Sequence, residues 1–187
     1  MQALYKRTPM KIDMGKFKEQ LKQIKAFIFD VDGVWTNGFV YVDGNGLQMR
    51  TTNTKDGYAV HYASKIGYKI GIITGGKCKS IIGRFNDLGV TDVFIEASDK
   101  MVCFEEFMKR HGLRPKEIMY MGDDIPDMEI MQRVGCPVCP KDACPEIKAV
   151  STYISHRDGG YGCGRDVIEQ VLRAQGKWVM NEKAFGW

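Results

Sequence analysis

Asp30 and Asp32 stand one residue apart at the end of the apolar run Ala26-Phe27-Ile28-Phe29. A run of that kind reads as a buried strand. Carboxylates at the carboxyl end of a buried parallel strand lie at the crevice where open α/β sheets bind ligands. Two such close carboxylates repel unless a cation or a proton separates them. The pair therefore predicts a divalent metal, one nucleophilic carboxylate and a substrate that needs both.

Three further segments carry matching groups. Thr74-Gly75-Gly76 follows the apolar run Tyr68–Ile73, Lys100 opens a helical stretch, and Gly122-Asp123-Asp124 with Asp127 follows Ile118–Met121. A hydroxyl, a lysine and the free N–H groups of glycine-rich turns are phosphate ligands. Carboxylates hold Mg²⁺, a hard cation that takes oxygen donors. Alone, each piece is ordinary: Asp-x-Asp is a turn, Thr-Gly-Gly a loop, Gly-Asp-Asp a helix cap and Lys100 a solvated lysine. All four in order, each at a strand end or helix start, predict a phosphate site with magnesium.

The elements that must position these groups alternate along the chain. Strands are predicted at 27–30, 68–74, 93–97, 118–122, 137–139 and 153–155, and helices at 56–65, 79–88, 99–111, 126–134 and 165–174. Phe39–Asp43 and Leu47–Thr51 flank Gly44-Asn45-Gly46 and read as a hairpin. Alternation of strand and helix means a parallel sheet with helices on both faces.

The chain of 187 residues fits a single domain, and its 44% hydrophobic and 27% charged content is that of an ordinary globule. No apolar run approaches the ~20 residues of a membrane span, and residues 1–25 lack a secretion-type apolar segment, so a cytoplasmic location with no membrane partner is expected. The net charge of +4 comes from the start of the chain, where residues 1–25 hold seven Lys/Arg against two Asp/Glu. A basic leader on a near-neutral body does not suggest nucleic acid. Residues 1–24 are read as a solvated basic extension with a short helix near Phe17–Lys25, 25–176 as the catalytic domain, and 177–187 as an aromatic tail able to dock. Cys136, Cys139 and Cys144 have part of a zinc-knuckle spacing, with Cys163 or His156 as the only candidates for a fourth ligand. The same segment also reads as a buried strand carrying small thiols.

As a set, these motifs resemble the haloacid dehalogenase superfamily, and within it the capless 3-deoxy-D-manno-octulosonate 8-phosphate and nonulosonate 9-phosphate phosphatases. The resemblance spans about residues 24–176 and includes Asn53-Thr54-Lys55-Asp56-Gly57, Gly122-Asp123-Asp124-Ile125-Pro126-Asp127 and Gly159-Gly160-Tyr161-Gly162. It implies an α/β Rossmann-like fold without a cap domain. Only 41 residues separate Asp32 from Thr74, enough for the hairpin and one helix.

The resemblance also implies roles. Asp30 is the nucleophile and Asp32 the acid–base group. Thr74 and Lys100 bind phosphoryl oxygens, and Mg²⁺ is held by Asp30, the Asp32 carbonyl and Asp123. Asp124 and Asp127 support these groups, one holding Lys100 or a metal water and the other capping a helix. The sugar acid is expected to meet Asp32, Asn53, Thr54, Lys55, Asp56, Gly57, His61, Gly75, Gly76, Arg84 and Lys100. Lys55 and Arg84 suit a carboxylate partner. Gly76 stands where octulosonate enzymes usually have arginine and nonulosonate enzymes often glutamate, and His61 stands where the former often have arginine. The basic Lys55 favours the octulosonate ester, with the nonulosonate ester as the alternative. By resemblance the assembly is a homotetramer whose hairpins and tails complete neighbouring pockets. A phospho-accepting receiver domain would use the same residue types, but in the order Asp-Asp, Asp, Thr, Lys.

Overall fold

A computed structural model describes residues 14–179. Its centre is a six-stranded parallel sheet in the order β5-β4-β1-β6-β7-β8. The strands are β1 (Ala26–Phe29), β4 (Lys69–Ile73), β5 (Asp92–Phe94), β6 (Ile118–Met121), β7 (Cys136–Cys139) and β8 (Tyr153–Ile154). A separate antiparallel ribbon, β2 (Tyr41–Val42) with β3 (Gln48–Met49), stands outside that sheet. The hairpin strands are shorter than the sequence predicts, because neither has a sheet neighbour to extend its ladder.

β1 is buried along its whole length and shows why its sequence is continuously apolar. Phe27 and Phe29 enter one core, with side chains from helices α1 (Met14–Gln23), α2 (Thr54–Lys65), α3 (Ser80–Asp87) and α7 (Cys163–Ala174). Ala26 and Ile28 enter the other, with α4 (Lys100–His111), α5 (Met128–Arg133) and α6 (Pro145–Val150). Successive side chains on a strand point to opposite faces, so a central strand covered on both sides needs apolar residues at every position.

The structure adds detail at both chain ends. The segment before β1 is not a solvated leader throughout: Phe17, Leu21 and Ile24 are buried in the first core, and Phe17 stacks on Tyr153 with ring centroids 4.7 Å apart. Their spacing of four and three residues places all three on one helix face. At the other end, Trp178 packs on Tyr62 (centroids 4.9 Å) and lies under the guanidinium groups of Arg165 and Arg173. The start of the tail thus docks on α2 and α7 of its own chain. Residues 1–13 and 180–187 lie outside the described residues.

The zinc-knuckle spacing does not close. Cys136 and Cys139 belong to opposite cores of the sheet, so their thiols cannot share one ion. Burial pushes the Cys136 thiol up to about 12 and the Cys139 thiol up to about 11, which keeps both neutral.

Candidate active site

β1 lies between β4 and β6, and all three run parallel. The loops after them must therefore emerge side by side at one edge. They carry Asp30 and Asp32, Thr74, and Asp123 respectively, while α4 brings Lys100 from the loop after β5. The strand order, rather than any local signal, assembles the four segments.

The loops approach very closely. Gly33 has φ +80°, and a Cβ there would sit 2.0 Å from Asp123 Oδ2. Only glycine accepts both that backbone conformation and that contact. The carboxylate oxygens of Asp30, Asp123 and Asp127 lie within 4.8 Å of one another.

Asp127 organises the cluster from below. It is fully buried. Its Oδ1 accepts from Lys100 Nζ at 2.7 Å and from Tyr120 OH at 2.6 Å, and its Oδ2 accepts from the Asp123 backbone N–H at 3.1 Å. Lys100 Nζ also lies 3.0 Å from Asp30 Oδ1. Burial opposes the charge of Lys100, but Asp30 and Asp127 outweigh it and hold the amine above its ordinary value.

Asp30 behaves oppositely. Burial, then the Asp127 charge, raises it from an ordinary 3.8 to about 7 despite the pull of Lys100. Burial, with Asp127 and Asp124, raises Asp123 to about 7 as well. Asp30 Oδ1 is buried and faces the Lys100 ammonium at 3.0 Å. Crowded, desolvated carboxylates are what a small hard cation would satisfy. Asp30 and Asp123 fit as its carboxylate ligands, whereas both oxygens of Asp127 already accept hydrogen bonds from protein groups.

The remaining predicted residues divide. Thr74 is buried, and its Oγ1 accepts from the Gly76 N–H at 3.1 Å, forming the tight turn of Gly75 and Gly76. A cavity of about 720 Å³ opens between this turn and the hairpin, lined in part by Leu47, Gln48, Met49, Gly75 and Gly76. Asp32 is partly exposed and is gripped by Arg50 at the base of the hairpin: Nε donates to Oδ1 at 2.7 Å and Nη2 to Oδ2 at 2.9 Å. Asp124 is exposed and its side chain makes no cap bond; its carbonyl accepts from the Asp127 N–H. The helix-capping role considered for it or Asp127 therefore falls away, and the lysine-holding role goes to Asp127.

The Asn53–Gly57 segment is largely structural. Asn53 caps α2, its side chain accepting from the Lys55 N–H at 2.8 Å, and its amide donates to the Gly160 carbonyl. Asp56 is not a substrate ligand. It is 1% exposed, and its carboxylate accepts from the N–H groups of Gly162 and Arg165, capping α7 rather than its own helix. Arg84 lies over Gly57, where a Cβ would meet its Nη2 at 2.3 Å, and the two line a small niche with Trp35 and Asn53. Thr54 and Lys55 are exposed, and Lys55 lines a cavity of about 710 Å³ with Arg157, Tyr161 and Arg165. His61 is half-buried in the second turn of α2.

Sequence reasoning missed Arg50 and Tyr120. Tyr120 left a signal: it carries the one polar side-chain group of the buried strand Ile118-Met119-Tyr120-Met121, and a buried tyrosine hydroxyl needs a partner. Arg50 left none, since nothing in the sequence links it to Asp32.

Residues 77–159 match the family of haloacid dehalogenase-like hydrolases. The chain is 34% identical over 156 residues, 83% of each protein, to the 3-deoxy-D-manno-octulosonate 8-phosphate phosphatase of Salmonella typhi. Among solved structures it is similar to the Yersinia pestis 3-deoxy-D-manno-octulosonate 8-phosphate phosphatase, with a TM-score of 0.86 and 31% identity over 92% of this chain and 91% of that one. It is also similar to the Moraxella catarrhalis enzyme in complex with a magnesium ion, a phosphate ion and a KDO molecule, with a TM-score of 0.85 and 28% identity over 90% and 96%.

Proposed function

The chain belongs to the 3-deoxy-D-manno-octulosonate 8-phosphate phosphatase family of haloacid dehalogenase-like hydrolases, and from that premise we propose how its own residues perform the hydrolysis. It is a Mg²⁺-dependent phosphatase, and its substrate on this reading is a sugar-acid phosphate, 3-deoxy-D-manno-octulosonate 8-phosphate in the first place. The observation that carries the assignment is the juxtaposition of Asp30, Asp123 and Asp127 within 4.8 Å, with Lys100 Nζ 3.0 Å from Asp30.

Uncatalysed hydrolysis of phosphate monoesters is extremely slow, so both the attacking and the leaving oxygen must be managed. A carboxylate oxygen of Asp30 attacks phosphorus while the bond to the sugar oxygen breaks. Asp32 gives its proton to that departing oxygen. Water then attacks the phosphorus of the aspartyl-phosphate. Asp32 takes a proton from it, the acyl phosphate bond breaks, and inorganic phosphate leaves Asp30 free. Thr74 Oγ1 and Lys100 Nζ hold the equatorial oxygens, where positioning and charge dominate phosphoryl transfer. Asp127 and Tyr120 fix the lysine. Asp30, the Asp32 carbonyl and Asp123 would hold Mg²⁺, which would supply the positive charge that lets an anionic nucleophile approach an anionic ester. The sugar acid is placed toward Lys55, Arg84 and the turn of Gly75 and Gly76.

The assembly proposed is a homotetramer of a cytoplasmic enzyme. Its support is the hairpin, which exposes Phe39, Val40, Tyr41, Val42, Leu47 and Met49 together. Contiguous apolar exposure of that kind marks an interaction surface. No helix among the described residues is long and apolar enough to cross a membrane. Light scattering of Val42→Glu/Leu47→Glu is expected to show a smaller species than the wild type.

The test of the reaction is phosphate release from the octulosonate 8-phosphate, a nonulosonate 9-phosphate and simple sugar phosphates, with Mg²⁺ and with a chelator. Preference for the octulosonate ester, abolished by chelation and by Asp30→Asn, is the expected result. Preference for the nonulosonate ester would shift the substrate and keep the chemistry. Full turnover by Asp30→Asn would remove the nucleophile.

A further inference from the structure

Arg50 is the least expected member of this site. Its side chain is 5% exposed although it sits at the base of an exposed hairpin, and its guanidinium takes both oxygens of Asp32. Bidentate Arg–carboxylate pairs are strong and geometrically demanding. A carboxylate gripped on both oxygens is turned toward its partner, so in this arrangement neither oxygen of Asp32 is free to meet a departing sugar oxygen. The guanidinium in turn cannot simply be withdrawn. A buried cation stripped of its partner is strongly disfavoured, so another anion must take the place of Asp32.

Two features of the structure prepare that exchange. Arg50 Nη1 is buried and has no hydrogen-bond partner, leaving an unused donor on the same guanidinium. Gly76 leaves free the space beside it: a Cβ there would meet Arg50 Nη2 and Thr74 Oγ1 at 3.3 Å and Asp32 Oδ2 at 3.4 Å. The missing side chain thus lets the guanidinium lie between the acid–base group and the turn proposed to bind phosphate. The hairpin bearing Arg50 is paired only with itself and not with the main sheet.

We propose that Arg50 is a latch on the acid–base residue, holding both oxygens of Asp32 until an anionic oxygen of the incoming ester draws the guanidinium away and frees the Asp32 carboxyl group to face the departing sugar oxygen. Arg50 is then a substrate-binding residue as well as a positioning one. The ester offers two such anions, its phosphoryl group and its carboxylate. The proposal rests on the reading of Asp32 as acid–base group and of the substrate as an anionic ester.

The test compares wild type, Arg50→Met and Arg50→Lys on the sugar-acid phosphate and on a sugar phosphate lacking a carboxylate. Arg50→Met is expected to raise KM for the sugar-acid phosphate at least tenfold, with Arg50→Lys, which keeps the charge but not the fork, falling between. A similar rise for both esters assigns the phosphoryl group as the receiving anion, and a rise confined to the sugar acid assigns the carboxylate. Calorimetric binding of the sugar-acid phosphate to Asp30→Asn and to Asp30→Asn/Arg50→Met is expected to differ by the same factor, independently of turnover. KM within twofold of wild type for both esters overturns the latch, even if kcat falls, because Arg50 would then only orient Asp32. Wild-type enzyme that releases phosphate from neither ester would overturn the phosphatase reading and the latch with it, whereas normal wild-type turnover with unmoved KM values sinks the latch alone.

Discussion

Removing magnesium should leave a quantitative trace in protons. Asp30 and Asp123 are both raised from about 3.8 to about 7, chiefly by burial and then by neighbouring carboxylates. The two titrate as members of one cluster, so the value belongs to the cluster rather than to either residue alone. At pH 6, groups titrating near 7 are about 90% protonated, and at pH 8 about 10%. A cation that takes both carboxylates in ionised form must therefore displace close to two protons at pH 6 and few at pH 8. Calorimetric Mg²⁺ titration in two buffers of different ionisation enthalpy measures that number directly.

The same shifts fix the pH dependence of stability. Their folded-state values lie above the unfolded ones, so the folded state binds more protons between about pH 4 and pH 7. Stability of the metal-free protein is then greatest below pH 4, as far as these two groups are concerned, and is lost as pH rises through 7. The thermal stabilisation given by Mg²⁺ should grow over the same interval. A proton release near zero at pH 6, or one that is the same at pH 6 and pH 8, would refute the account of the cluster as a cation site with suppressed ionisation.

Other outcomes follow from single contacts. Asp127→Asn removes the charge that holds Lys100 at 2.7 Å, and steady-state kinetics should show kcat reduced about 10²-fold, the scale for losing one preorganised electrostatic group; a change under threefold would deny Asp127 its role. Gly33→Ala places a Cβ against the Asp123 carboxylate in a positive-φ backbone, so calorimetry should show Mg²⁺ affinity severely weakened. Asp56→Ala strips the N-terminus of α7 of its acceptor, and urea unfolding should show a loss of about 2 kcal/mol, the upper range for a helix cap.

What the sequence made legible follows a physical divide. Strand interiors and strand ends were readable, because burial on two faces demands unbroken apolar residues and the chemistry sits one or two residues beyond them. Asp30, Thr74 and Asp123 were found in that way, and Lys100 as the start of α4, with Asp99 capping that helix. Partners distant along the chain were not readable. Asp56 looks like a first-turn acid of α2, yet it serves α7, more than a hundred residues later. The α6 helix, Pro145–Val150, is only six residues long and too brief to display a hydrophobic period. The first turn of the Pro126–Val134 stretch is a tighter 3-10 turn at Ile125–Asp127, and that turn is what aims Asp127 back beneath Lys100.

Charge explains why so compact a site can hold together and still turn over a highly anionic ester. Asp30, Asp32, Asp123 and Asp127, when ionised, bring four negative charges, and Lys100 and Arg50 return two. The difference is the charge of one magnesium ion. With that ion bound the cluster is neutral, and each cation already has a carboxylate partner. A phosphoryl dianion entering such a site finds no uncommitted positive charge within it. It can be held only by sharing the cations that the aspartates hold. Lys100 can be shared in place, because Asp127 and Tyr120 anchor it from the buried side. Asp32 is the one carboxylate paired with Arg50 among the described residues, with the Cys78 thiol beside the guanidinium, so of the two cations Arg50 is the one whose allegiance the substrate can change. The demand for charge that admits the ester is thereby the same event that releases the group needed to break it.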